Sequence, residues 1–109
     1  MKYNNGSGSY CEEGIAMANK FQRETVEVQP FTAKVLGVAV TTGVEVSLTT
    51  GAGSPWVWDR PVDWAAPTVI DGGLGVMVQD MAVGKWGVWA RVTDSPEIPV
   101  IFCGFFYVV

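Results

Sequence analysis

No histidine occurs in the 109 residues, which removes Ser-His-Asp triads, Cys-His dyads and histidine-based metal sites together. Nucleophilic hydrolysis by those routes is excluded; a noncatalytic role with no cofactor is expected. Charge is scarce as well. Asp, Glu, Lys and Arg make up 17% of the chain, and seven basic residues scattered from Lys2 to Arg91 leave a net charge of −4. Nucleic-acid affinity comes largely from clustered Lys and Arg, so nucleic acid is not an expected partner. No apolar run approaches the roughly 18 residues of a spanning helix, and no membrane partner is expected. The opening residues, Met1 to Gly8, contain no apolar stretch of the kind a secretory signal needs, so synthesis in the cytoplasm is expected. Only two cysteines are present. In an unsecreted chain such thiols are more often unpaired, and Cys11 and Cys103 are expected to be reduced and apart. A phosphate-cradling loop is missing too, because Gly73-Leu74-Gly75-Val76 lacks a third glycine and a following helix pattern.

What the chain does have is apolar and aromatic content, 49% and 12% of residues, with five tryptophans. A chain of this length builds one core. From Thr25 onward the hydrophobic period is two. Thr25 to Gln29 alternates up to Pro30, Lys34 to Val40 is more continuously apolar, and Val44 to Thr49 alternates again. Gly51-Ala52-Gly53-Ser54-Pro55 signals a turn before Trp56 to Asp59, and Thr68 to Ile70 and Leu74 to Gln79 flank the tight-turn sequence Asp71-Gly72-Gly73. Two further strands, rich in aromatic and β-branched residues, lie within residues 84 to 109 about a loop carrying Pro96 and Pro99. Seven short strands predict an antiparallel β-sandwich over residues 25 to 109, with a barrel as the second reading. In the strand from Gly84, Trp86, Val88, Ala90 and Val92 share one face, expected to pack on Val44, Val46 and Leu48, while Gly87, Trp89 and Arg91 share the other.

Residues 1 to 24 differ in character. The first nine are mostly Asn, Gly and Ser, a flexible composition, and Ser9-Tyr10-Cys11-Glu12 fits a capping box opening a short helix over residues 10 to 22. An N-terminal arm or short helix is therefore expected, docked on a neighbouring subunit through Tyr3, Tyr10, Ile15 and Phe21, whose removal should leave the domain folded. Carboxylate pairs exist at Asp59 with Asp63 and at Asp71 with Asp80, but Asp at these positions is ordinary turn chemistry. The tryptophans are more informative. Trp56 and Trp58 share a face if extended, and with Trp64 in the proline-rich segment they supply either a protein-docking surface or a stacking platform for carbohydrate.

The run Gly84-Lys85-Trp86-Gly87-Val88-Trp89-Ala90-Arg91-Val92-Thr93-Asp94-Ser95-Pro96-Glu97-Ile98-Pro99-Val100-Ile101, closing with Gly104-Phe105-Phe106, resembles the last hairpin of small immunoglobulin-like domains in virion proteins of tailed bacteriophages, especially those of actinobacteria. The resemblance covers about a quarter of the chain. It implies an immunoglobulin-like β-sandwich serving as a structural part of a phage particle: a capsid decoration protein on the outer surface, or a minor tail or accessory protein. The implied partners are the major capsid protein or other virion subunits, with a homo-oligomer left open. The acidic net charge suits an outer surface rather than one facing packaged DNA.

Overall fold

The computed structural model describes residues 9–12, 19–22, 26–35, 37–70, 73–93, 98 and 100–109, for residues 9–12 and 19 by backbone alone. Among them there is no helix. The strands are β1 (Ser9–Glu12), β2 (Asn19–Phe21), β3 (Glu27–Val35), β4 (Val38–Val40), β5 (Val44–Thr49), β6 (Gly51–Ala52), β7 (Val57–Trp58), β8 (Thr68–Ile70), β9 (Gly73–Val78), β10 (Gly84–Val92) and β11 (Val100–Val108). One sheet runs β1-β3-β9-β8 with β4 paired to β3, the other runs β2-β11-β10-β5, and β6 and β7 form a separate small hairpin. The arrangement is a sandwich. It is mixed rather than purely antiparallel, because β2 lies parallel to β11.

The alternation read from the sequence explains the core. Phe31 and Ala33 of β3 and Leu74, Val76 and Val78 of β9 point inward from one sheet. Val44 and Val46 of β5, Val88, Ala90 and Val92 of β10, and Ile101, Cys103, Phe106 and Val108 of β11 point inward from the other. Trp86 is partly buried and packs against this core with Leu48, its indole N–H donating to the Ala82 carbonyl at 2.9 Å. The expected phase of β10 therefore holds. The register of β10 with β11 shifts between Val88 and Trp89. This bulge gives β11 one extra residue, so Cys103 faces the core while Phe102 and Phe105 face outward.

Three expectations about strand boundaries change. Pro30 does not end its strand: β3 runs through it, paired there with Gly75 of β9. The pairing of β3 with β1 begins only at Thr32, so on that side the missing N–H of Pro30 interrupts no ladder bond among the described residues. Second, the apolar run 34 to 40 is not one strand but a hairpin, β3 folding back onto β4 about Gly37, whose φ of +82° suits glycine. Third, the segment expected as a short helix forms strands at both described ends. Tyr10 and Cys11 of β1 pair with Lys34 and Ala33 of β3, and Asn19, Lys20 and Phe21 of β2 pair with Phe106, Tyr107 and Val108 of β11. Gly14 and Asn19 are poor helix residues, and two open sheet edges offer the backbone better partners than an isolated helix of that length could.

Cys103 is disulfide-bonded, and neither cysteine is free, which overturns the expectation of two separate thiols. The chain's only other cysteine is Cys11, so the bond joins β1 of one sheet to β11 of the other. The physical reason is the placement of residues 9 to 12. They belong to the sandwich, and the closing strand lies across the interior from them.

Candidate functional site

The outward face of the β2-β11-β10-β5 sheet holds most of the aromatic surface. Register places Lys85 beside Tyr107, Gly87 beside Phe105, and Trp89 beside Phe102, with Thr49, Ser47 and Glu45 of β5 next to Gly87, Trp89 and Arg91. Over the middle of this face lies the β6–β7 hairpin. Its Trp58 ring sits 5.5 Å from that of Phe102 and 6.0 Å from that of Phe105, and Trp56 meets Trp58 edge-on at 5.6 Å. Such offsets and edges suit the ring quadrupoles.

Two glycines allow the hairpin to close down. A Cβ on Gly87 would come within 2.9 Å of Trp58 Cε3 and 3.1 Å of Phe102 Cε1, so only a bare backbone lets the indole lie on the strand. At Gly51 a Cβ would stand 2.4 Å from the Val57 carbonyl oxygen and 2.7 Å from Trp56 Nε1. Gly87→Val should therefore lift Trp58 off the sheet at a cost of about 1–3 kcal/mol. A red-shifted tryptophan emission with a lowered melting temperature would verify this, whereas an unchanged spectrum would show that Trp58 does not pack there.

Lys85 reaches into the rings. Its Nζ is 4.5 Å from the Phe105 centroid, 5.0 Å from Trp56, 5.5 Å from Trp58 and 6.0 Å from Tyr107, within cation–π range of all four. At the other end Arg91 lies 4.7 Å over the Trp64 ring and forms an ion pair with Glu45 at 2.7 Å. Trp89 Nε1 donates to Thr49 Oγ1 at 2.8 Å, fixing the indole over β5 and edge-on to Phe102 at 4.9 Å. Thr50 Oγ1 donates to Asp59 Oδ2 at 3.1 Å. The loop after β7 is tied to the outer strand β5 by reciprocal bonds between Val46 and Ala65 at 2.8 and 2.9 Å.

The structure thus brings Trp56, Trp58 and Trp64 onto one face, although they do not form a single flat platform. Trp56 and Trp58 meet at 75°, Trp64 belongs to the Arg91 end, and Trp56 is the most open of the three at 38% exposure. Phe21, expected as an anchor for a neighbouring subunit, is 7% exposed and meets Phe106 edge-on at 5.5 Å inside the core. Tyr10 lies in β1, its side chain not described, while Tyr3 and Ile15 lie outside the described residues. Lys85, Phe102, Phe105 and Tyr107 are the site residues the sequence reading did not single out. Their signal was present in the alternation of β10 and in cross-strand pairing with β11, but the bulge at residues 102 to 104 hides which residues of β11 face outward. Among the described residues no cluster of carboxylates or thiols is placed to hold a metal ion. Comparison with protein-family models, curated proteins and solved structures finds no match.

Proposed function

We propose that the chain is an immunoglobulin-like, noncatalytic structural protein of a tailed-phage virion, seated on the outer surface of the capsid. Strand order supports the immunoglobulin-like reading. Taking β1 and β2 as two halves of a first strand A, and β3, β5, β8, β9, β10 and β11 as B, C, D, E, F and G, the sheets read A-B-E-D and A-G-F-C. That order agrees with the immunoglobulin pattern if its first strand is divided between the sheets. Placement on a virion rests on one observation, the hairpin of β10 and β11. The residues that resemble the closing hairpin of phage domains do pair antiparallel from Gly84 with Val108 to Arg91 with Val100, Trp86 inward and Trp89 outward. The acidic net charge of −4 suits an outer surface.

On this reading Tyr3, Tyr10 and Ile15 are the contacts to the major capsid protein, Phe21 having been taken up by the core. Incubating the full chain with undecorated particles and sedimenting them should give a fixed copy number per particle. Tyr3→Ala with Ile15→Ala should lower occupancy while leaving the melting temperature unchanged. Failure of the unmodified chain to cosediment with capsids would overturn the capsid reading, and cosedimentation with isolated tails instead would favour a minor tail protein.

A further inference from the structure

The Lys85 end of the aromatic face has a chemistry that packing alone does not require. Register across β2, β11 and β10 puts Lys20, Tyr107 and Lys85 in one row pointing to the same side. Two strand spacings separate the lysine backbones, roughly 10 Å. Lys20 is exposed. Among the described residues neither lysine has a carboxylate partner, and Glu45, on the same face, is paired with Arg91 at its other end. Lys85 Nζ lies 5.0 Å from the exposed indole of Trp56, and with Lys20 in the same row it makes a local positive site in a chain of net charge −4.

We infer that this end of the face binds an acidic saccharide, one sugar ring stacking on Trp56 while its carboxylate or sulfate group pairs with Lys85 and a second acidic group reaches Lys20. The rings hold the Lys85 ammonium in place, so little side-chain freedom is lost when an anion arrives. An aromatic ring presents its negative face to the polarised C–H groups of a sugar, and an ammonium supplies a charge-assisted hydrogen bond to the acid group. A neutral sugar would leave the lysines without a partner, and a flexible acidic peptide would leave Trp56 without a flat one. The inference stands independently of a seat on the capsid. Combined with it, the module would display a glycan-binding face from the particle surface.

Titration of the full chain followed by tryptophan emission provides the test, using a galacturonate tetramer, a heparin tetrasaccharide, cellotetraose and a glutamate pentapeptide. A saturable change with one or both acidic saccharides is expected, the responding arm identifying the acid as carboxylate or sulfate. Cellotetraose should bind at least about tenfold more weakly, the equivalent of one good charged contact. Trp56→Ala should abolish the response. Lys20→Gln, on an exposed side chain, should weaken binding several-fold with no change in melting temperature, which separates charge recognition from packing. Absence of a saturable response to either acidic saccharide, equal binding of cellotetraose or the pentapeptide, or full binding by Trp56→Ala would each overturn the inference.

Discussion

Breaking the disulfide at Cys103 should remove about 4–5 kcal/mol of stability, since the bond closes a loop of roughly 90 residues in the unfolded chain. Small domains have only about 5–15 kcal/mol to lose. The melting temperature should fall by on the order of 15 °C or more, both for Cys103→Ala and for the reduced protein. Because Cys103 is only 3% exposed, reduction should be slow in the native state and fast once denaturant opens the sandwich. Alanine is the informative replacement. It leaves a small void, whereas serine would add a buried hydroxyl with its own cost. Identical melting curves with and without reductant, together with two titratable thiols in the unreduced protein, would refute the bond. In the proposed virion setting the bond would form after release into an oxidising exterior, where structural disulfides persist.

Much of the sandwich was legible because its strands obey a strict period. Val44, Val46, Val88, Ala90 and Val92 face inward as their alternation requires, and β8 pairs antiparallel with β9, Ile70 opposite Gly73, on either side of residues 71 and 72. The errors fell where tertiary pairing outweighs local preference. Pro30 reads as a stop, but among the described residues one side of its strand has no ladder to break. Ser9-Tyr10-Cys11-Glu12 reads as a capping box, yet the β-prone Tyr10 and Cys11 gain a full antiparallel partner in β3. The thiols were misjudged for a linked reason, since a cysteine assigned to an arm outside the domain has no way to meet one in the closing strand. The candidate site was half legible. Trp56 and Trp58 stood out by composition, but nothing local says that Gly87 is the bare spot on which Trp58 lies, or that Lys85 enters the rings. Those facts follow from register across strands far apart in sequence.

The largest expected effect comes from deleting residues 1 to 24. The sequence reading predicts a domain that folds without them; the structure predicts the opposite. Deletion removes β1 and β2, and with them the partners of β3 from Thr32 to Val35 and of β11 from Phe106 to Val108. Two long strands would then present open edges, an invitation to intermolecular pairing. Deletion also removes Cys11, and so the disulfide, and Phe21, which packs edge-on against the fully buried Phe106. Loss of the Phe21 side chain alone, in Phe21→Ala, should cost about 3–5 kcal/mol. Adding the disulfide term brings the total to the whole margin of a small domain, so residues 25 to 109 expressed alone should show no cooperative thermal transition and should aggregate. Phe21→Ala keeps the bond and both strands, and should melt cooperatively at a lower temperature. A truncated chain melting at the temperature of the full one would show that β1 and β2 add nothing to the sandwich, and would return Phe21 to the contacts offered to a neighbouring subunit.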